Sequence, residues 1–260
     1  MAAFRRLSLD TLPVELLHEI QLYAVSPSLP YTCKHIFDVF KLAPSSYRAQ
    51  FLLSATQTVC PTIRVTKLLR YPLCTKEVLA VVIRMRDDIF SWDYPSELPR
   101  RLFRPLHPKP SSEEPSSKQI GWSDRDKPLP FLNYLYSLKF RPPNANSHEG
   151  YALTKAVHAA FIPLIQFLLD HGASPRCKDG LAVLVAIRRR DLSLVKMLIQ
   201  KDDVPTIKSG KSKKPKLEDR ITATQDMLKA AVKCNARDIV EYLTKEKGCV
   251  PDMQTILLMR

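Results

Sequence analysis

Residues 153–168 read LTKAVHAAFIPLIQFL, and the spacing of their apolar side chains recurs twice later in the chain. The second copy is VLVAIRRRDLSLVKML at 183–198, and the third is LKAAVKCNARDIVEYL at 228–243. Each copy has an aliphatic residue three positions before an alanine, and aliphatic residues eight, nine and twelve positions after it. The repeated positions are Leu153, Ala156, Leu164, Ile165 and Leu168; Val183, Ala186, Leu194, Val195 and Leu198; and Leu228, Ala231, Ile239, Val240 and Leu243.

This spacing predicts two short antiparallel helices in each copy. Residues three or four apart share one face of a helix, so each half of the pattern marks a buried stripe. The alanine is small because two helices approach each other closely there. Each pair leaves an apolar face that only a neighbouring pair can cover, and we therefore expect the pairs to stack.

The pattern resembles the ankyrin repeat. Residues 168–175, LLDHGASP, are similar to the helix end and turn of that family, with Gly172 and later Asn235 at positions that favour a left-handed backbone. The T-P-L-H opening of the family is replaced in all three copies, and the steps of 30 and 45 residues depart from a regular period. The resemblance implies an all-α solenoid of ankyrin-like helix pairs over 131–260; another type of helical solenoid is the alternative.

The N-terminal segment, residues 7–55, predicts two amphipathic helices separated by a proline-rich spacer. Its opening resembles the F-box, in which Leu-Pro is followed by an acid, paired aliphatics and an isoleucine. The matching residues here are Leu12, Pro13, Glu15, Leu16, Leu17 and Ile20, followed by Leu29, Cys33, Lys34 and Phe37. The resemblance implies that Leu12, Pro13, Leu16, Ile20 and Phe37 dock on the Skp adaptor of a cullin-based ubiquitin ligase. The alternative is that these residues only pack the N-terminal cap of the solenoid.

The remaining segments differ in composition. Residues 60–92 contain a helical run that predicts a degenerate repeat, with Thr75 as a plausible N-cap. Residues 95–130 contain 8 prolines and 6 serines in 36 residues, which predicts a linker or a long irregular loop. We expect a further helix over 131–140 and the first helix of one more unit over 251–260.

The chain is basic, with 40 Lys and Arg against 26 Asp and Glu, a formal net charge of +14. A basic insertion at 206–220 separates the second and third copies of the repeat. Its lysines predict a nuclear-import signal, a polyanion contact or a solvated loop. They are Lys208, Lys211, Lys213, Lys214 and Lys216.

The sequence contains no motif for catalysis. There are 6 glycines and no glycine-rich phosphate loop, and the 6 cysteines include no C-x-x-C pair. No H-x-x-x-H spacing exists for a metal site. We therefore expect a protein without enzymatic activity, cofactor or metal. The apolar runs are too short for a membrane span, and no secretory signal is expected, which favours the nucleus or the cytoplasm; a mitochondrial signal is an open alternative.

These patterns together predict an adaptor that brings a target protein, whose identity the sequence does not specify, to a cullin-based ubiquitin ligase. Two alternatives stand beside this hypothesis. One is an ankyrin-type binding scaffold without a link to a ligase. The other is a basic subunit of a ribonucleoprotein complex, which rests on the charge alone.

Overall fold

The structure is a computed structural model that describes residues 8–86, 95–108, 122–200 and 219–258. In these ranges it has thirteen α-helices and no β-strand, which confirms the all-α prediction. The chain divides into two compact units. Met1–Pro99 and Phe131–Pro143 form the N-terminal unit, and Arg100–Pro130 and Asn144–Arg260 form the C-terminal unit.

The N-terminal unit begins with helices α1, Val14–Ala24, and α2, Lys34–Leu42. Pro13 is the N-cap of α1, where its missing N–H costs no hydrogen bond. Cys33 lies just before α2 as its N-cap, and its Sγ accepts a hydrogen bond from the Ile36 N–H. A sulfur can serve as this cap because the first N–H groups of a helix lack partners within it.

Three more helices continue the N-terminal unit: α3, Ser45–Thr56; α4, Pro61–Arg70; and α5, Lys76–Met85. The next helix, α6, is Leu129–Ser137, and it belongs to this unit from Phe131 onward. α3 contacts α1, α4 and α5. The predicted N-cap is confirmed, because the Thr75 hydroxyl accepts the Val78 N–H at 3.4 Å. Residues 131–143 belong to this unit rather than to the repeats with which the sequence grouped them. Their packing explains this, since Leu132 and Leu135 are buried and the Lys76 ammonium lies 5.4 Å from the centre of the Tyr134 ring.

The proline-rich segment predicted as a linker is described at 95–108 and 122–130. A 3₁₀ turn at Arg100–Leu102 is its regular structure before α6 begins. Leu98, Phe103 and Leu106 are nevertheless almost completely buried. The segment therefore combines an irregular backbone with buried apolar side chains, which its proline content does not predict.

The C-terminal unit contains the repeated helices. They are α7, Ser147–His158; α8, Ile162–Asp170; α9, Cys177–Arg188; α10, Leu192–Ile199; α11, Gln225–Lys233; α12, Arg237–Glu241, which continues as a π-helix over Tyr242–Glu246; and α13, Met253–Leu258. α7 contacts α9, α9 contacts α11, and α11 contacts α13, while α10 contacts α12. The first helices of successive pairs therefore lie side by side, and α13 follows them in the row.

The repeated apolar positions form the core of this unit. Of the fifteen positions, fourteen are buried, and Val240 is half-buried. Ala156, Ala186 and Ala231 are completely buried, as the close approach of helices requires. The turns between paired helices also repeat, since Ala160, Arg190 and Asn235 have φ angles of 53°, 56° and 53°. The left-handed backbone predicted at Asn235 and Gly172 is confirmed.

Candidate partner-binding surface on the N-terminal helices

Helix α1 presents two faces that differ in exposure. Leu17 is completely buried and packs with Ile36 and Phe40 of α2 in one apolar cluster. Pro13, Leu16 and Ile20 are three and four residues apart, so they follow one side of the helix next to that buried face. Leu16 is 45% exposed, which leaves an aliphatic side chain in contact with water on this side.

Leu12 lies in a different environment from the residues that follow it. It is half-buried and packs against the cluster of Leu17, Ile36 and Phe40. The 3₁₀ turn Leu9–Thr11 precedes it, and the Thr11 hydroxyl donates to the Ser8 carbonyl at 2.8 Å. Leu12 therefore anchors the start of α1 to the core, and its side chain has less surface to offer a partner than Leu16 has.

Phe37 lies in a groove of the N-terminal unit. Its ring is 40% exposed, its centre is 6.3 Å from that of Tyr31, and the Lys41 ammonium lies 5.9 Å from it. The groove has a volume of about 450 Å³, and aromatic residues and prolines make up much of its wall. Its lining residues are Gln21, Pro27, Pro30, Tyr31, Phe37, Phe40, Lys41, Tyr47, Arg48, Phe51, Tyr71, Pro72 and Leu73.

The structure thus divides the five predicted docking residues. Leu16 and Ile20 lie together on α1 beside Pro13, whereas Phe37 lines the groove without any of the other four. The position of Gln21 explains this division. Around the axis of α1, Gln21 and Leu16 lie on the two sides of the buried Leu17, and Gln21 is the α1 residue that lines the groove. The N-terminal helices therefore carry two separate apolar sites, one on α1 at Leu16 and Ile20 and one in the groove at Phe37.

The groove has a positive rim and an incompletely paired polar wall. Lys41 and Arg48 supply two cations, and no carboxylate is among the lining residues. The Arg48 guanidinium donates to the Lys41 carbonyl, while its Nε has no partner among the described residues. Gln21 is 2% exposed, and its Oε1 likewise finds no hydrogen-bond partner in the described ranges, although its Nε2 donates to the Ser26 carbonyl.

Tyr47 stiffens the base of the groove. Its hydroxyl donates to the His18 carbonyl at 3.1 Å, and the two rings stack with their centres 4.1 Å apart. Burial disfavours the phenolate and raises the pKa of Tyr47 to about 12. This contact joins α3 to α1 and therefore helps to fix the shape of the groove.

Sequence reasoning missed several exposed apolar residues around these sites. Tyr31 is 74% exposed and lies in the proline-containing segment before α2. Leu42 is 81% exposed and is the last residue of α2, next to the proline-containing segment that follows it. Tyr23, near the end of α1, is 88% exposed. These helices contain more apolar residues than one buried face can hold, and that excess was the available signal. A narrow buried stripe leaves the remaining apolar side chains exposed to solvent.

The remaining predictions concern the basic segment, metal binding and membrane spans. Lys208, Lys211, Lys213, Lys214 and Lys216 of the basic segment lie outside the described residues. Within the described part of the chain, no group of three His, Cys, Asp or Glu side chains converges to hold a metal ion. No helix in those same ranges has the length and hydropathy needed to cross a bilayer.

A scan against protein-family models, a search of curated proteins and a search of solved structures found no match to this chain.

Proposed function

We propose that this protein is a protein-binding adaptor that joins a Skp-type adaptor of a cullin-based ubiquitin ligase to a target protein. The observation that carries the proposal is the apolar surface that α1 exposes beside its buried face, formed by Pro13, Leu16, Ile20 and Tyr23. Pro13, Leu16 and Tyr23 are exposed and Ile20 is half-buried, and such contiguous apolar surface is typical of sites that a partner covers. The surface begins at the Leu-Pro sequence on which the resemblance to the F-box rests.

The C-terminal unit supports the second half of the proposal. Its helix pairs repeat a buried pattern and its first helices lie side by side, which favours an ankyrin-like solenoid over a cleft-based enzyme. In such an array the exposed turns and helix faces are free to bind a target. The protein makes no covalent bond itself; it raises the effective concentration of the target near the ubiquitin-transferring enzyme.

A pull-down with a purified Skp adaptor tests the first contact. Leu16→Asp places a charge in the exposed apolar surface without touching the core, so we expect binding to fall by a factor of roughly 30 or more, as for a hot-spot residue. Ile63→Asp is the matched control, because Ile63 is 56% exposed on α4 and lies outside that surface. Equal binding by the two variants would contradict the proposal, provided that circular dichroism shows both to be folded.

The second candidate function, a binding scaffold without a ligase link, is favoured by the position of Leu12 and the packing of α3. Leu12 packs into the core cluster, and α3 contacts α1 as well as α4 and α5. The first 55 residues therefore share one compact unit with the helices that follow. Under this hypothesis Leu12→Ala lowers the free energy of unfolding, while Leu16→Asp changes neither stability nor recovery of any Skp adaptor.

A further inference from the structure

Six cations collect at one edge of the C-terminal unit, where the first helix of each pair ends and the second begins. α7 contacts α9 and α9 contacts α11, so the turns that follow these three helices are neighbours. We call this surface the basic edge. Its cations are Lys155, Arg188, Arg189, Arg190, Lys233 and Arg237.

The basic edge has few carboxylates to offset this charge. Asp191 and Asp238 are the acidic residues in the three turns and the first residues of the second helices. Asp191 is committed to its own helix, since its Oδ1 accepts the Leu194 N–H at 3.1 Å and the Ser193 hydroxyl at 2.6 Å. In the described ranges, none of the six cations forms an ion pair with a carboxylate.

Helix dipoles do not account for the cations. A positive side chain is stabilised at the C-terminal end of an isolated helix by the partial negative charge there. At the basic edge, however, the ends of α7, α9 and α11 lie beside the starts of α8, α10 and α12. The opposed dipoles largely cancel, and the positive charge of the side chains remains.

Two cations of the basic edge, Lys155 and Arg189, lie close enough to His158 to act on it. The Arg189 guanidinium donates to the His158 carbonyl at 2.8 Å and so bridges the ends of α9 and α7. Burial, and then the positive charges of Lys155, Arg189 and His107, lower the pKa of His158. Among the described residues, these like charges therefore have no carboxylate counterion, an arrangement that an external anion relieves.

We infer that the basic edge binds the phosphate backbone of a nucleic acid. Helices pack about 8–10 Å apart, so the cationic turns form a row that an extended polyanion reaches along its length. Phosphate contacts need Lys and Arg but no stacking aromatics. A protein interface, by contrast, is usually centred on apolar or aromatic anchors, and among the described residues of the edge Ile162 is the one large apolar side chain that is exposed. This inference goes beyond the proposed adaptor function and does not depend on it.

Binding of the full chain to a fluorescein-labelled RNA duplex of about 20 base pairs, followed by anisotropy between about 50 and 200 mM salt, tests the inference. The variant is Arg188→Gln/Arg189→Gln/Arg190→Gln. The control, Lys67→Gln/Arg84→Gln/Lys139→Gln, removes the same charge from exposed positions of the N-terminal unit. The basic segment at 208–216 stays intact in every protein.

We expect the edge variant to bind the RNA roughly tenfold more weakly than the natural chain. Its plot of log affinity against log salt should be less steep, with the magnitude of the slope smaller by about 2 to 3. The control variant should change both the affinity and the slope by much less. If the triple variant is perturbed in its fold, Arg188→Gln/Arg190→Gln replaces it, because it keeps the Arg189 contact with His158. We expect this double variant to lose an intermediate amount of RNA affinity. Equal weakening by edge and control variants overturns the inference. Displacement of the RNA by polyglutamate at equal charge concentration also overturns it, because it would assign the surface to acidic proteins.

Discussion

Replacing Gly150 by alanine tests how closely α7 approaches the start of α9. Gly150 has a φ of +74°, and a Cβ added to it would lie 2.8 Å from the Cys177 Cβ and 3.3 Å from the Cys177 Sγ. The nearer atom is fixed to the backbone of α9, so it cannot move aside by a change of rotamer. Relief of this clash therefore requires a shift between α7 and α9, the first helices of the first two pairs.

The magnitude follows from two contributions. A left-handed alanine costs about 1–2 kcal/mol, and forcing an extra carbon into a packed contact costs about 1–3 kcal/mol. We therefore expect Gly150→Ala to lower the free energy of unfolding by about 2–5 kcal/mol. Gly172→Ala is the matched control, because Gly172 has a φ of +83° but an added Cβ there would meet no atom of the described residues within 4 Å. Gly172→Ala should therefore lose only about 1–2 kcal/mol, which is the cost of a left-handed alanine.

Urea unfolding of the full chain, followed by far-UV circular dichroism, compares the two variants. Hydrogen exchange of the amides in 147–200 then assigns the loss to the C-terminal unit, since the chain has two units and need not unfold in one step. The reasoning is refuted if Gly150→Ala and Gly172→Ala lose the same stability, because the close contact between α7 and α9 would then carry no energetic cost.

Two further predictions concern packing and pH. Ala186→Leu overfills a position that is completely buried, so it should lower the free energy of unfolding by about 1–3 kcal/mol in a urea titration, whereas Val185→Leu, on the half-exposed side of the same helix, should change it far less. Tyr47 has a pKa of about 12 when folded against an ordinary value of 10.0, so its contribution to stability is complete below pH 10 and is lost as the pH rises towards 12. The natural chain should therefore lose more stability between pH 9 and pH 11 than Tyr47→Phe does; equal losses in urea titrations at the two pH values would exclude Tyr47 as the source.

Helix boundaries were predictable where local chemistry sets them. Thr75 caps α5 as expected because a hydroxyl accepts a hydrogen bond from the free N–H groups of the first turn. Asn235 adopts the left-handed backbone expected of a short polar residue between helices. Ala160 and Arg190 have the same backbone at the equivalent turns without such a signal. There the packing of the two flanking helices imposes a conformation that the residue itself does not favour.

The candidate docking surface was predictable only in part. Pro13, Leu16 and Ile20 were apparent from the Leu-Pro opening, but the exposure of Tyr23 and the grouping of the predicted residues were not. Leu12 packs into the core and Phe37 lines a groove apart from Leu16. Which apolar residues remain exposed depends on how much of each helix its neighbours cover, and that is decided by residues distant in the sequence, such as Tyr47 beside His18.

The amino-acid sequence by itself determined that the chain is helical, where the repeated pairs lie and which of their positions are buried, because helix periodicity and side-chain size are local properties. Only the tertiary structure decided what the pairs bring together. Lys155, the three arginines 188–190 and Lys233 are far apart in the chain, and they form one surface because α9 packs between α7 and α11. Long-range contacts between helices create that surface, and no spacing within a single helix encodes it.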